Sequence, residues 1–286
     1  MQKTKIDWCD MSWNPVTGCL HGCEYCYARK IANRFTRRTG DGINPSAYCI
    51  PNVGYIRDTK IEKEVTKNKH LHVIKLPMYD ERIIREGEYN YHYDPYPYGF
   101  EPTFHKYRLD EPQKVKKPQN IFVCSMADLF GDWVPDEWIK AVFEVCEKAP
   151  QHRYLFLTKN PRRYEKIEEN ADNLWYGATT TNECSFNQAL YSFMQQRVNV
   201  EKYFNTFISI EPILDKIRIK ENDGYFSSID WIIIGAETGN RKNKVIPERE
   251  WILEIKKACE RAGIPLFMKE SLRELMGQDF IQEFPW

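Results

Sequence analysis

Short apolar runs recur at regular intervals in the second half of the chain, and polar turn residues follow each of them. Runs of this length, bounded by turns and rich in aromatic and β-branched residues, are typical of buried strands. Between them, Asp136–Lys148 and Glu248–Ala262 have the apolar spacing of amphipathic helices. The pattern predicts six strands, at Ile121–Ser125, Tyr154–Thr158, Trp175–Thr180, Thr206–Glu211, Trp231–Glu237 and Pro265–Lys269.

The alternation of apolar strands with helical stretches predicts the fold class. Strands that are apolar almost throughout are typical of a parallel sheet covered by helices. Six or seven such units favour an α/β fold arranged as a partial or complete (βα) TIM-type barrel. No Gly-x-Gly-x-x-Gly stands between a strand and a helix, which argues against a dinucleotide-binding fold. At 286 residues and 42% hydrophobic, the chain is predicted to form a single barrel domain over residues 1–286.

The N-terminal residues carry a weaker signal. Ile6, Trp8, Met11 and Trp13 fall near a period of two, which predicts one irregular strand. Cys9 lies in this stretch, and we interpret it as a small buried apolar residue rather than as a metal ligand.

An insertion is expected after the first helix. Residues 24–38 favour a helix, and Gly-Asp-Gly at 40–42 ends it. The insertion then covers about 43–118 and includes a tyrosine-rich tract with two prolines at 89–100, which excludes an ordinary helix there. The tract is either an extended segment packed against the barrel or a stacking surface for nucleic-acid bases.

Charge and cysteine content restrict the partners and the compartment. Lys plus Arg equals Asp plus Glu at 41 each, so a nucleic-acid partner would require a local basic patch. Basic segments occur at Arg34–Arg38, Lys216–Lys220 and Arg241–Lys244, although such faces are often simply solvated. No apolar run approaches the about 20 residues needed to span a bilayer. Nine cysteines without an apolar signal-peptide core predict reduced thiols and a cytoplasmic protein.

Three of the cysteines form a Cys-x3-Cys-x2-Cys motif at Cys19, Cys23 and Cys26. A structural zinc site needs a fourth ligand, and neither a second Cys-x-x-Cys nor a His pair follows the motif. A [4Fe–4S] cluster has four irons, so three thiolates leave one iron open to a small-molecule ligand. The motif therefore favours such a cluster, with a zinc knuckle or three unrelated thiols as alternatives.

The ends of the predicted strands are polar. In α/β barrels the carboxyl ends of the strands form the mouth of the active site. A single polar residue at a strand end is often only a helix cap, but six strand ends share this feature. The residues concerned are Ser125, Asp128, Thr158, Lys159, Thr179, Thr181, Asn182, Glu211, Glu237 and Lys269.

The cysteine motif, with the aromatic Tyr25 before its last cysteine, resembles that of the radical S-adenosylmethionine (SAM) superfamily. Members of that superfamily chelate SAM at the open iron, and one electron from the cluster cleaves SAM to a 5′-deoxyadenosyl radical. The whole chain also resembles the phage-associated three-Cys-motif proteins, a radical-SAM-like family. The matching stretches are Trp13–Cys19, Cys124–Phe130, Leu157–Pro161, Ser209–Pro212 and Ile234–Gly239.

The resemblance implies roles for individual residues. Three cysteines would be the metal ligands: Cys19, Cys23 and Cys26. The SAM contacts would be Ser125 and Asp128 near the methionine, Thr158 or Lys159 at its carboxylate, Thr179, Thr181 and Asn182 at the ribose, and Ile234, Gly235 and Ala236 at the adenine. The candidate catalytic residues, placed to contact substrate, are Glu211, Glu237 and Lys269. The superfamily's Gly-Gly-Glu, which holds the SAM amino group, is replaced here by Cys-Ser-Met-Ala-Asp at 124–128.

The function that the resemblance implies is that of a radical SAM enzyme modifying or repairing a nucleic acid or nucleotide. Its cofactors would be a [4Fe–4S] cluster and SAM, and its electron donor a flavodoxin or ferredoxin. One alternative is a radical SAM enzyme that acts on a peptide or partner protein. Another is an iron–sulfur protein that transfers electrons or forms a scaffold, although an electron carrier would normally have a fourth cysteine ligand.

Overall fold

A computed structural model describes residues 1–35, 96, 99–169, 171–200, 203–219, 224–226 and 229–286. Within these residues the chain forms ten strands and five α-helices. The strands are β1 Gln2–Lys3, β2 Met11–Trp13, β3 Val16–Thr17, β4 Thr103–Phe104, β5 Asn120–Val123, β6 Arg153–Thr158, β7 Leu174–Thr180, β8 Asn205–Ile210, β9 Trp231–Ile234 and β10 Leu266–Met268. The helices are α1 Tyr27–Phe35, α2 Asp136–Lys148, α3 Glu183–Val200, α4 Arg249–Ala262 and α5 Arg273–Met276.

Eight of the strands form one mostly parallel sheet in the order β1-β2-β5-β6-β7-β8-β9-β10. Every pairing from β2 to β10 is parallel, and only β1 runs antiparallel to its neighbour. The remaining two strands, β3 and β4, form a separate antiparallel ribbon. The prediction of an α/β fold with a parallel sheet is confirmed.

The six predicted strands and the two predicted helices of the second half are all present, with shifted ends. Strand β5 ends two residues earlier than predicted, because Cys124 has a φ of 60°, a left-handed conformation that turns the chain out of the sheet. The N-terminal strand is shorter than predicted: only Met11–Trp13 pairs, while Trp8 lies in a turn and is buried. The first helix begins at Tyr27, and residues 36–38 of its predicted length lie outside the described residues.

The expectation of an α-helix after every strand is wrong between β6 and β7. The connection from β6 to β7 contains a 3-10 helix at Pro161–Lys166 instead of an α-helix, with proline at its first position. The described residues between β8 and β9 form no α-helix. Residues 43–95 of the predicted insertion, with 97 and 98, lie outside the described residues, and 99–118 form β4 and two short 3-10 helices.

The two faces of the sheet have separate cores. On the convex face, alternate strand residues pack against α2, α3 and α4. On the concave face, the intervening residues form an aromatic cluster together with Trp8. We call this the concave cluster, and its buried members are Trp8, Phe122, Leu155, Trp175, Phe207, Trp231, Ile233 and Phe267.

The concave cluster requires the sheet to be strongly curved. The ring of Trp8 lies 4.8 Å from that of Phe122 on β5 and 6.3 Å from that of Trp231 on β9. In the strand order β5 and β9 are four positions apart, about 19 Å in a flat sheet. One indole contacts both only because the sheet curls around it. Among the described residues no pairing joins β1 to β10, so a closed barrel is not observed.

The C-terminal residues protect the exposed edge of β10 and one end of the concave face. The Met268 N–H donates to Ile281 O at 2.9 Å and the Glu283 N–H donates to Leu266 O at 3.0 Å, so the tail pairs along this edge. The ring of Trp286 contacts Trp231 at 5.1 Å and lies 4.1 Å from the Arg153 guanidinium. These contacts cover the amino ends of the strands and leave their carboxyl ends for the cysteine loop. No helix in the described part of the chain is long and apolar enough to cross a membrane.

Substituting Gly177 tests the packing of the concave cluster. A Cβ at this position would lie 2.2 Å from the Phe207 ring, so Gly177→Ala should lower the free energy of unfolding by about 1–3 kcal/mol. Gly224→Ala is the control, because a Cβ there meets nothing within 4 Å, and it should change stability by less than about 0.5 kcal/mol. Urea unfolding measures both; equal midpoints would contradict this packing.

Candidate functional site

The cysteine loop, residues 14–26, follows β2 and is fixed by backbone hydrogen bonds. Gly18 forms a parallel bridge with Ala127 and donates its N–H to Met126 O at 2.9 Å. The next N–H, that of Cys19, donates to Phe100 O at 3.1 Å. The loop is thus attached both to the residues that follow β5 and to those that precede β4.

Gly18 cannot be replaced without moving the chain. Its φ of 87° is left-handed, and a Cβ would lie 2.1 Å from the backbone oxygen of Glu101. The close approach of these two backbones therefore depends on glycine at this position.

The three motif cysteines are partly buried on this loop. The Cys26 N–H donates to Cys23 O, and the Arg29 N–H at the start of α1 donates to Cys26 Sγ at 3.3 Å. Burial raises the pKa of the Cys19 thiol to about 12, and the charges of Cys23 and Cys26 contribute to the increase. The thiols are therefore close enough to influence one another, and a bound cation would relieve that effect.

In the described residues no three His, Cys, Asp or Glu side chains surround one point closely enough to hold a single metal ion. A [4Fe–4S] cubane places each thiolate on a different iron, so its ligands stand farther apart than those of one ion. The predicted ligand set of Cys19, Cys23 and Cys26 stays a prediction. The site offers a cluster of this kind three partly buried thiol sulfurs on one loop.

Asp128 holds the cysteine loop to the sheet. The residue is 5% exposed, and its carboxylate accepts hydrogen bonds from four donors. These are His21 Nε2 at 2.7 Å, Thr158 Oγ1 at 2.7 Å, the Lys159 N–H at 2.8 Å and the Phe130 N–H at 3.0 Å. Burial alone would raise the pKa of Asp128, but the hydrogen bond and charge of His21, with the other donors, hold it below its usual value.

The role of Asp128 in this arrangement is structural. His21 lies between Cys19 and Cys23, so the bond to Asp128 connects the cysteine motif to the ends of β5 and β6. The ring of His21 also contacts Trp133 at 4.8 Å. Each carboxylate oxygen of Asp128 accepts hydrogen bonds from two donors. That Asp128 contacts SAM remains a prediction.

Two more attachments reach the loop from β6 and β9. The Arg241 guanidinium donates to both oxygens of Glu237, at 2.6 and 2.7 Å, and to Glu24 of the loop at 3.2 Å. These bonds hold the pKa of Glu237 below its usual value. From β6, the Lys159 ammonium lies 5.7 Å from the ring of Tyr25, whose pKa is raised by burial and then by the neighbouring Cys23. The loop therefore spans the carboxyl ends of β5, β6 and β9.

Some of the predicted site residues share the concave face beneath this loop. Thr179 pairs with Ser209, which pairs with Ile233 of the concave cluster. Lys269 lies two residues beyond Phe267 of the cluster and Glu211 four residues beyond Phe207, and the two form an ion pair with each other. A Cβ on Gly235 would lie 3.0 Å from the Lys269 side chain, which places both on this face. Lys159 follows Leu157, which packs on the same cluster.

Other predicted SAM contacts point elsewhere or have partners already. Ile234 belongs to the convex core and Ala236 packs against it. The backbone groups of this stretch are also engaged: Ile234 O accepts from the Lys269 N–H, Gly235 exchanges bonds with Ile210 and Ile213, and the Ala236 N–H donates to Ser271.

The hydroxyl and amide residues after β5 and β7 form local turns. Asn182 Oδ1 accepts the Ser185 N–H at 2.9 Å and Ser185 Oγ accepts the Thr181 N–H, which is the capping arrangement at the start of α3. Ser125 Oγ donates to Asn14 Oδ1, while Ser125 O accepts from the Tyr27 hydroxyl. Their assignment to SAM stays a prediction.

Sequence reasoning missed four residues that organise the site: Asn14, His21, Tyr96 and Phe100. Asn14 Oδ1 accepts from both Ser125 Oγ and the Met126 N–H, and so fixes the turn after β5. His21 lies inside the cysteine motif, and this position could have identified it from the sequence as a residue of the site. Tyr96 and Phe100 belong to the tyrosine-rich tract and are buried, as in the packed alternative for that tract.

The predicted basic segments are largely paired. Lys216 binds Glu254, Arg218 binds Glu183, and Arg241 binds Glu237 and Glu24. Lys242 and Lys244 are exposed beside Arg241. Residues 36–38 and Lys220 lie outside the described residues.

Asp128→Asn tests the attachment of the loop. Loss of charge-assisted bonds at a buried site should lower the free energy of unfolding by about 2 kcal/mol or more at pH 7. Because the folded-state pKa is lowered, this stabilisation is present above about pH 4, the pKa of an unfolded aspartate, and disappears as pH falls through the folded value. Wild-type stability should therefore fall more steeply in acid than that of the variant.

The matched control is Asp136→Asn, because the Asp136 side chain is exposed in its ion pair with Arg163 and should contribute less than about 1 kcal/mol. Urea unfolding between pH 3 and 7 measures all three proteins. Equal effects of the two substitutions would show that Asp128 does not anchor the loop.

The comparisons with known proteins give one match. Residues 3–81 and 78–274 match the family described as "Protein of unknown function (DUF5131)". No curated protein matches the chain, and no solved structure does. Since the family match extends over most of its length, the chain belongs to the DUF5131 family.

Proposed function

We propose that this protein is a radical SAM enzyme that binds a [4Fe–4S] cluster through Cys19, Cys23 and Cys26. The observation that carries the proposal is the position of the cysteine loop, which lies across the carboxyl ends of a curved parallel sheet. This is the edge at which α/β enzymes place their active sites. When bound, the cluster would supply the electron that cleaves SAM.

The proposed architecture is a partial (βα) barrel. The curvature enforced by the concave cluster supports it, as does the N-terminal segment between β1 and β2. In that segment Asp7 accepts the Glu270 N–H at 3.0 Å beyond β10, while the Asp10 N–H donates to Asn120 O at the start of β5. Residues 4–10 thus bridge the two sides of the opening with a loop where a closed barrel has paired strands.

The proposed SAM and substrate contacts are those on the concave face. Lys159, Thr179 and Gly235 would face SAM there, while the paired Glu211 and Lys269 would bind or exchange a proton with substrate. Glu237 is held in a two-pronged ion pair, so its proposed role is to position the loop through Arg241. The aromatic concave cluster would keep water away from this space.

Cluster binding is tested by anaerobic reconstitution with iron and sulfide. Wild type should gain the broad absorption at about 400 nm that is typical of such clusters, and Cys23→Ala should lose it. Cys9→Ala and Cys184→Ala are the controls: Cys9 packs on the concave cluster and Cys184 is exposed on α3. Retention of the absorption in Cys19→Ala together with its loss in Cys9→Ala would reject the ligand set.

SAM use is read separately on the reduced, reconstituted protein. SAM should alter the electron paramagnetic resonance spectrum of the reduced protein, and 5′-deoxyadenosine should accumulate. An unchanged spectrum with no SAM binding by calorimetry would instead indicate an electron carrier or a scaffold.

The proposed substrate is a nucleic acid or nucleotide, and the exposed pair Lys242 and Lys244 is the proposed phosphate contact. Changing both to Glu should weaken oligonucleotide binding and reduce the salt dependence by up to about 2 in logarithmic slope. The control reverses Lys140 and Lys148 on α2, which are also exposed. Fluorescence titration at low salt with single- and double-stranded DNA and RNA measures the effect. No binding to wild type, or equal losses in both variants, would favour a nucleotide-sized or peptide substrate.

A further inference from the structure

An apolar surface adjoins two of the three motif cysteines. Tyr96, Phe100 and Met126, which we call the apolar wall, are buried together with Ala28 and Ala32 of α1. Two sulfur-bearing residues, Cys19 and Cys26, pack against this cluster. Two residues of the wall come from the far end of the predicted insertion.

Phe100 is fixed to Cys19 by two independent interactions. Its carbonyl accepts the Cys19 N–H at 3.1 Å. The Arg29 guanidinium donates to Cys19 O at 3.1 Å and also lies 5.1 Å from the centre of the Phe100 ring. The arginine therefore holds the ring of Phe100 and the backbone of Cys19 in one arrangement.

The backbone next to the apolar wall is tightly packed. Glu101, the residue after Phe100, approaches Gly18 so closely that not even a methyl group would fit between them. The ribbon of β3 and β4 then continues this contact, with Val16 opposite Phe104 and Thr17 opposite Thr103. The position of Phe100 is thus set by the same contacts that set the position of Cys19.

Cys23 has different surroundings. It is not one of the described residues that pack against the wall, and it lies close enough to Tyr25 to contribute to the raised pKa of that hydroxyl. The three thiols are therefore unequal: Cys19 and Cys26 pack against the apolar wall, whereas Cys23 is not among its described neighbours.

We infer that the apolar wall controls access of water and small reagents to Cys19 and Cys26, and that Phe100 is the positioning residue on which this depends. Apolar residues around a metal site limit solvent access to it, and thiol reactivity follows exposure. What the wall would protect is the cluster of the proposed function, so in that respect the inference rests on the proposal. Its physical content, the shielding of two thiols, belongs to the chain itself.

Alkylation of the metal-free, full-length protein with iodoacetamide tests the shielding, since each thiolate sulfur displaces iodide and gains a stable mass label. Tandem mass spectrometry then gives the rate at each cysteine. Of the three motif cysteines in the wild type, Cys23 should react first. Phe100→Ala should accelerate alkylation of Cys19 and Cys26 by about threefold or more, with little change at Cys23.

Two further variants separate a local wall from general loss of structure. Phe100→Leu keeps an apolar side chain and should restore most of the protection. Phe280→Ala removes another phenylalanine under an arginine, since Arg273 lies 4.1 Å from its ring, and should leave the rates at Cys19 and Cys26 unchanged. Unchanged rates in Phe100→Ala would overturn the inference, and so would a uniform rise that includes the buried Cys146.

The decay in air of the reconstituted absorption near about 400 nm gives a second readout, and it should be faster in Phe100→Ala. If wild type forms no cluster but the alkylation pattern is as expected, the proposed function fails while the wall stands. If the cluster forms and neither its decay nor the alkylation rates respond to Phe100→Ala, the wall is rejected while the proposed function stands.

Discussion

The indole of Trp8 contacts side chains from β5, β8 and β9 at the same time, and this packing requires the parallel sheet to curl. The curl has a consequence for every strand. It draws the carboxyl ends of β5, β6 and β9 toward one another, so that a single short loop can reach all three. Without the large ring at the centre, the polar residues at these ends would be spread along a line. The arrangement of the candidate site thus begins with the burial of one aromatic side chain.

Across this mouth the cysteine loop is held by contacts of different kinds. Asp128 supplies a buried carboxylate, Arg241 a bridge between two carboxylates, and Gly18 a backbone contact without a side chain. Each fixes a different part of the loop, and none of them uses a cysteine sulfur. The thiols are therefore positioned by contacts of the loop itself, and the proposed cluster would bind to a loop already held in place. Such preorganisation lowers the conformational entropy that metal binding must otherwise offset.

The sequence predicted the strands well because apolar runs report burial directly. It also indicated that Thr179, Glu211 and Lys269 lie at the carboxyl ends of neighbouring strands, since parallel strands end at one edge; their roles stay predictions. The partners of Asp128 could not be predicted, because His21 is 107 residues away in the chain and no local pattern connects them. An aspartate that organises a loop and an aspartate that binds a ligand cannot be distinguished from the sequence alone. The capping role of Asn182 could have been predicted, since asparagine directly before a helix is a common cap.

The two described ends that flank residues 36–95 meet at the cysteine site. Ala28 and Ala32 of α1 lie before this segment and Tyr96 lies after it, and all three are buried in one cluster beside Cys19 and Cys26. Among the described residues, contacts that hold the wall and the loop come from both sides of the segment. Because Cys19 and Cys26 pack against a cluster built from both flanking ends, the position of these thiols depends on the contact between Tyr96 and α1. A change that displaced Tyr96 or α1 would therefore move the surface against which two of the three thiols pack.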